Sequence, residues 1–248
     1  MRNISIIGLF ISAMVLSSAI SAIANDAVSV TVVTKGASRY ILQDLGVEAS
    51  DKPGIVTVLA VSKNVSIIKG RLTFDWWQRA DATDDGTYGD RGFGDEHDFT
   101  LTGNWMVGPY AVEASAAYYM LAPLKGTDSD GVELYVDFGR PIELGHGISL
   151  TPAIRMIEFI GFKDFPDFTQ IRYRMPITVS IPKLEGVKVV FDPSFNVAVT
   201  GGTTNDFVFR PTESVVWQTT EDLTFRLDVK HSGHAPVETN LGFVYHLF

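Results

Sequence analysis

Residues 168–182 read Phe-Thr-Gln-Ile-Arg-Tyr-Arg-Met-Pro-Ile-Thr-Val-Ser-Ile-Pro. Ile171, Tyr173, Met175, Ile177, Val179 and Ile181 alternate with Arg172, Arg174, Pro176, Thr178 and Ser180. Side chains on a β-strand point alternately to opposite faces, so this stretch has one apolar and one polar face. The same period returns at Val132-Leu134-Val136-Phe138, at Leu223-Phe225-Leu227-Val229 and at Leu241-Phe243-Tyr245-Leu247. No window after the N-terminal leader favours the helical period for longer than a turn or two.

Punctuation by Gly, Pro, Asn and Asp divides the chain into about twelve strands, with ten to fourteen in range. They fall near 28–35, 54–63, 66–78, 97–107, 110–121, 131–140, 148–160, 168–182, 187–200, 207–219, 222–231 and 237–248. Many reach the length that crosses a bilayer at a tilt. Long polar connections at 36–53, 79–96, 122–130 and 161–167 alternate with tight ones at Asn64-Val65, Gly108-Pro109, Lys183–Gly186 and Thr220-Glu221. The stretch 141–147 breaks this series by being too long for its place. The alternation predicts a single closed antiparallel transmembrane β-barrel over residues 25–248, with short turns on one side of a membrane and longer loops on the other. Trp105 and Tyr110 flank one tight turn and Trp217 precedes another, while Trp76 and Trp77 stand at the opposite end, as two aromatic girdles would.

Residues 1–24 have the form of a secretory signal peptide. Arg2 precedes an apolar run from Ile4 to Leu16, and Ala22-Ile23-Ala24 is a cleavage pattern. Cleavage removes one cation from a chain whose formal net charge is already −9. That balance, with no cluster of Lys and Arg, excludes a nucleic-acid binder. The hydrophobic fraction of 46% with no later helical span must lie in a soluble core or on the outside of a barrel. Cysteine is absent, which removes thiolate nucleophiles, Cys-based zinc sites and disulfides together.

The chain ends Asn240-Leu241-Gly242-Phe243-Val244-Tyr245-His246-Leu247-Phe248. This strand, with Gly242, Phe243, Tyr245, Leu247 and Phe248, resembles the C-terminal signal read by the outer-membrane barrel-assembly machinery. Phe248 is one residue out of phase with the apolar series, so Leu247 would be the last residue in register. Thr34–Asp51 followed by Lys52-Pro53-Gly54, together with Gly131–Phe138 and Gly145–Ile154, is similar to the TorF-like porins and related Proteobacterial barrels. The departure is that Arg39 precedes Tyr40, where that group has Arg-Gly after the aromatic. The resemblance implies a transport-type barrel in the bacterial outer membrane.

The polar face carries Lys69, Arg71, Asp75, Glu113, Glu133, Asp137, Arg155, Arg172, Arg174, Lys188, Asp192, Arg226, Asp228 and Lys230. Burying these in a dry core would cost several kcal/mol per ion, whereas a hydrated lumen removes the cost. Lys69, Arg71, Asp75, Arg155, Arg172, Arg174, Lys188, Arg226, Asp228 and Lys230 are therefore the expected channel lining. Ile177, Phe225 and Leu227 are expected to face lipid. The expected function is that of a monomeric porin or narrow diffusion channel for small polar solutes, with no cofactor, no metal and no catalysis. His231-Ser232-Gly233-His234 offers a second reading, a lipid-modifying enzyme using a His/Ser pair. The carboxylates between Asp81 and Asp98 offer a third, an adhesive barrel with that loop as its contact surface; they do not form a Ca²⁺ loop of EF-hand type, which needs Glu where Gly92 stands.

Overall fold

The computed structural model describes residues 28–42, 47–50, 53–65, 69–81, 96–120, 130–162, 167–201, 208–232 and 235–247. The expected leader, residues 1–24, lies outside them. Among the described residues every regular element is a strand. In chain order these are β1 (Val28–Ala37), β2 (Tyr40–Leu42), β3 (Val47–Ser50), β4 (Gly54–Val65), β5 (Gly70–Asp81), β6 (Glu96–Val107) and β7 (Tyr110–Met120). There follow β8 (Gly131–Gly139), β9 (Ile142–Gly145), β10 (Ile148–Leu150), β11 (Ala153–Gly161), β12 (Phe168–Arg174) and β13 (Ile177–Ser180). The chain is completed by β14 (Val187–Asp192), β15 (Ser194–Gly201), β16 (Val208–Phe209), β17 (Thr212–Gln218), β18 (Leu223–Ser232) and β19 (Ala235–His246).

Strands β2 and β3 form a separate two-stranded ribbon, and the other seventeen form one antiparallel sheet. Hairpin neighbours pair, and around the proline breaks the pairing skips segments, joining β8 to β11, β10 to β13, β12 to β15 and β14 to β17. β1 is bonded along both edges, to β4 through Val28↔Lys63 to Ala37↔Gly54 and to β19 through Thr31↔His246 to Ala37↔Asn240. The seventeen strands replace the twelve expected, and the reason is proline. A proline has no backbone N–H to give to a ladder, so regular pairing stops where one stands. Pro141 separates β8 from β9, Pro152 separates β10 from β11 and Pro176 separates β12 from β13. Pro193 separates β14 from β15, and Pro211 separates β16 from β17.

The registers set these five prolines side by side in a band across the sheet. Four of their carbonyls accept a hydrogen bond from a neighbouring segment. Arg140 N–H donates to Pro152 O at 3.0 Å, Thr151 N–H to Pro176 O at 2.9 Å, Met175 N–H to Pro193 O at 3.1 Å and His231 N–H to Pro211 O at 3.0 Å. The misfit at 141–147 also disappears: β9 continues through it, and the chain turns at His146-Gly147, with φ of 53° and 75°. The two-residue turn at His146-Gly147 thus supplies the tight connection that the series lacked at this place.

The two faces of the sheet are opposite in character, and the polar one is the buried one. Glu133 and Asp137 are buried on β8 while Leu134, Val136 and Phe138 between and beside them are exposed. Asp228 is buried beside exposed Leu227, and Asn240 is 1% accessible beside Leu241 at 64%. Phe225 is exposed as expected, and Ile177 is half-buried. This is the inverse of a water-soluble protein, whose large apolar side chains collect inside. Such an exterior calls for an apolar solvent, and in lipid every backbone polar group must be bonded internally. The buried face also holds one apolar cluster, Ile157, Phe159 and Phe168, packed against Tyr119 and Tyr135.

Two outcomes test this sidedness. Leu101 is exposed on β6, and Thr102 is its inward neighbour, bonded to Ser115 Oγ at 3.1 Å. Leu101→Arg should destabilise the protein refolded in lipid vesicles by about 2–4 kcal/mol, and Thr102→Arg by clearly less, in urea titrations. At the β1–β19 seam, a Cβ on Gly242 would collide with Thr34 O and Lys35 Cβ, whereas one on Gly36 finds nothing nearer than 3.9 Å. Gly242→Ala should cost about 1–3 kcal/mol and Gly36→Ala much less, read as the midpoint of heat-modifiable gel mobility.

Candidate functional site

Strand geometry alone concentrates polar chemistry on the buried face. One register row, followed from strand to strand, reads Asn64, Arg71, Asn104, Glu113, Asp137, Arg155, Arg172 and Asn196. Eight neighbouring strands thus place a polar side chain at the same level. Adjacent residues in a row lie close enough for direct pairing. The next row toward the long connections includes Ser62, Thr73, Thr102 and Ser115, with hydroxyl contacts of 3.0 Å between Ser62 and Thr73 and 3.1 Å between Thr102 and Ser115.

Charges in the main row are tied sideways along the wall. Arg155 Nε donates to Asp137 Oδ2 at 2.9 Å and its Nη2 to Glu113 Oε1 at 3.0 Å. The same guanidinium lies 3.9 Å from the centre of the Tyr135 ring, whose hydroxyl donates to Glu113 Oε1 at 2.7 Å. Arg174 reaches Asp137 Oδ2 at 3.3 Å and Asp192 Oδ2 at 2.5 Å. Arg172 Nε donates to Asn196 Oδ1 at 3.0 Å, and Asn196 Nδ2 to Gln170 Oε1 at 2.9 Å. A second group joins Arg226 Nε to Asp228 Oδ1 at 2.6 Å and Lys230 Nζ to Glu238 Oε1 at 3.1 Å. Buried ion pairs of this kind are tolerated when each carboxylate gathers further donors. Ser214 Oγ supplies one to Asp228 at 2.6 Å, and Asn240 Nδ2 supplies one to Glu238 at 2.6 Å.

Three cavities open on this face. The first, about 710 Å³, is lined by Lys69, Arg71, Asn104, Glu113, Asp137, Arg155, Arg174 and Pro176 among others. The second, about 470 Å³, is lined by Lys35, Arg174, Pro176, Asp192, Thr212, Arg226, Asp228 and Lys230 among others. The third, about 250 Å³, is lined by Arg155, Arg172, Arg174, Asp192, Ser194, Arg210 and Thr212. Arg174 belongs to all three. It stands next to the proline band, at the point where the spaces meet.

The expected lining residues thus separate into groups. Arg155, Arg172 and Arg174 come together, Arg226, Asp228 and Lys230 form the second group, and Lys69 and Arg71 sit at the first cavity. Lys69 lies in the turn before β5, at φ 46°, and not on a strand face. Arg71 Nη2 donates to Ser29 Oγ at 2.5 Å. Asp75 lies on β5 opposite Thr100, and Lys188 is exposed near the end of β14. Two contributors escaped the sequence. Arg210 is in phase with Thr212 and Ser214, a signal hidden by Pro211. Lys35 lies in a strand, Val28–Ala37, whose apolar residues do not alternate.

Other expectations fare unevenly. Asp98 and Glu96, read as part of an acidic loop, are buried residues of β6, and Asp98 is within electrostatic reach of Glu133 and Asp75. Residues 82–95 lie outside the described residues, as do Gly233, His234 and Phe248. Trp77 shares a face with Asp75 and Arg79, because neighbours on a strand diverge, so only Trp76 can join an outer girdle; it stacks on His97 at 5.8 Å. Trp217 and Tyr110 are exposed, and Trp217 meets Phe225 at 6.0 Å. His231 Nε2 lies 3.4 Å from Glu213 Oε2, a carboxylate on the adjoining strand. Of the C-terminal series, Phe243 and Tyr245 are exposed, Gly242 fits the seam, and Leu247 N–H donates to Val30 O at 2.8 Å.

No protein-family model matches the chain, and no curated protein matches it in sequence. Its fold does have solved counterparts. An outer-membrane channel from Pseudomonas putida superposes with a TM-score of 0.57 at 12% identity, over 89% of this chain and 96% of that one. The NanC porin gives 0.54 at 9%, over 88% and 100%. The KdgM porin gives 0.51 at 9%, over 87% and 98%. The fold is that of outer-membrane porins and channels, and at these identities the likeness is one of architecture alone.

Because the chain has no native cysteine, single cysteines can report sidedness directly. In refolded protein, Arg174→Cys should react with a charged, membrane-impermeant thiol reagent at least tenfold faster than Tyr173→Cys. Equal rates would contradict the assigned faces.

Proposed function

We propose that residues 25–248 form a closed barrel of twelve membrane-crossing strands, several kinked at proline, in the outer membrane of a Gram-negative envelope. Residues 1–24 serve as its cleaved leader, and the barrel acts as a narrow diffusion channel for small polar solutes. β1 paired along both edges supports closure, and the five proline breaks support counting seventeen segments as twelve crossings. The shared architecture of solved porins and channels supports the location and the transport role; membership of the TorF-like porins is part of the proposal.

The observation that carries the reading is Arg174, common to three cavities on the buried polar face. Around it Arg155, Arg172 and Arg210 add three more guanidiniums. The acidic groups Glu96, Asp98 and Glu133 gather toward the end with the long connections. Those carboxyls are buried in the wall, so a solute in the cavities meets chiefly the positive charge midway. Fixed charge acts over about a Debye length, ~8 Å at physiological ionic strength, so the narrow cationic zone governs which ions pass. Anions are favoured there.

In planar bilayers the purified protein should open small, anion-preferring pores. In a salt gradient, replacing Arg172 and Arg174 together by Ala should move the reversal potential toward cation selectivity. Replacing Asp84 and Asp85 by Asn should leave it almost unchanged. An absence of conductance from protein shown to be folded would overturn the channel reading.

A further inference from the structure

The 470 Å³ cavity lies against the β1–β19 seam, and Lys35, Arg226, Asp228 and Lys230 line it. Lys35 stands opposite Gly242, and Gly242 stands opposite Arg226 on the next strand. Because Gly242 has no side chain, the four-carbon stem of Lys35 has room to extend over β19 toward β18. Arg226, Asp228, Lys230 and Glu238 all come within electrostatic reach of its ammonium.

Both carboxylates are already held by other cations. Asp228 Oδ1 pairs with Arg226 Nε at 2.6 Å, and Glu238 Oε1 with Lys230 Nζ at 3.1 Å. Among the described residues no ion pair joins either of them to Lys35. Three cations thus face two carboxylates, and the surplus is one positive charge. Arg174 adds nothing to it, since Asp192 stands against that guanidinium at 2.5 Å. A monoanion cancels a surplus of one, whereas a phosphate dianion would exceed it and meet Asp228. Arg226 spends its Nε on Asp228 and its Nη2 on Ser214, and its side chain is 49% accessible. Its remaining N–H groups and those of Lys35 can each take one oxygen of a carboxylate.

The rest of the wall is of another kind. Val33 and Val244 face each other in the seam, two residues along from Lys35 and Gly242, and Val190 lies opposite inward-facing Ser214. All three valines line the cavity. A solute held by its charge at Lys35 therefore lays the rest of its body on apolar surface, where burial is favourable in proportion to area. The volume corresponds to roughly sixteen waters at liquid density, enough for a carboxylate on a single ring or a short aliphatic chain.

We propose that this cavity is a saturable binding site for a small monocarboxylate with an apolar body. The carboxylate bridges Lys35 and Arg226, and the body lies on Val33, Val190 and Val244. The inference deepens the channel reading, and rests on it only for the route by which the solute enters. Lys35 then sets a preference among anions that the charge of the pathway alone does not supply.

The test titrates benzoate, acetate and inorganic phosphate into the detergent-solubilised barrel at constant ionic strength, by calorimetry, with empty micelles as the blank. Benzoate is expected to bind saturably and at least threefold tighter than acetate or phosphate. Lys35→Gln should weaken it at least tenfold, and Lys35→Arg, which keeps the charge, should stay within threefold of the parent. Val190→Thr should weaken benzoate at least threefold and narrow its lead over acetate. Arg140→Gln, an exposed arginine outside the cavity, should change benzoate binding less than twofold. If Lys35→Gln fails the heat-mobility check for folding, Val190→Thr carries the test. Uptake that does not saturate, that is indifferent to Lys35 and Val190, or that is lost equally in Lys35→Arg and Lys35→Gln overturns the site. Acetate or phosphate binding as tightly as benzoate overturns the assigned class. Currents without saturable benzoate binding would sink the site and keep the channel. Lys35-dependent binding in a folded protein that passes no current would keep the site and sink the channel.

Discussion

A backbone that crosses an apolar medium has nowhere to place an unpaired N–H or C=O, and the arrangement of this molecule follows from that restriction. Each buried peptide group left unbonded in hydrocarbon costs several kcal/mol. Helices satisfy such groups locally. Strands cannot, so each needs a partner on both sides, and β1 obtains its second partner only from β19. The prolines are the exceptions that show how strict the accounting is. Their missing donors interrupt the ladders at five places, yet neighbouring N–H groups still reach the carbonyls of Pro152, Pro176, Pro193 and Pro211. Placing the breaks side by side confines the loss to one band instead of scattering it.

Once the apolar side chains are committed to the exterior, the charged ones have only the interior left. There they must be paired, hydrated or both. The structure does this with short links between adjacent or next-adjacent strands: Glu113, Asp137 and Asp192 alternate with Arg155 and Arg174 along the wall. These links run along the sheet between near-neighbour strands, so they hold the side chains to the wall beside the cavities. The inward cluster of Ile157, Phe159 and Phe168 narrows another part of that space without adding charge.

Much of this was written into the sequence. Alternation of period two assigns faces without any knowledge of partners, which is why Arg155, Arg172, Arg174 and Asp228 were identified on the polar side. The lengths of connections gave the up-and-down order. What sequence could not supply was register. The alignment of Pro141, Pro152, Pro176, Pro193 and Pro211 is a property of how strands slide past one another, and residues 141 and 211 have no visible relation along the chain. Arg210 was concealed by Pro211, which masks its phase with Thr212 and Ser214, and its bond to Ser194 across the sheet puts it at the third cavity. Lys35 was missed for a different reason, since Val32 and Val33 occupy both faces of β1 and erase the period.

The seam between β1 and β19 has a consequence in time. Thr31 Oγ1 and His246 Nδ1, 3.0 Å apart, are separated by 215 residues of chain, whereas most other pairings in the sheet join consecutive strands. Bringing two such distant points together carries an entropic cost of about 5 kcal/mol for a flexible loop, before any bond is returned. Assembly of the hairpins first shortens the effective loop and lowers that cost, so the order of events runs from local pairs to the seam. Until the seam forms, the first and last strands each present a bare row of donors and acceptors, open to any other strand that arrives. The contact that ends this exposure depends on β19, which follows every other strand of the sheet in the chain. The edge of β1 therefore stays unguarded until all the hairpins between have had time to form.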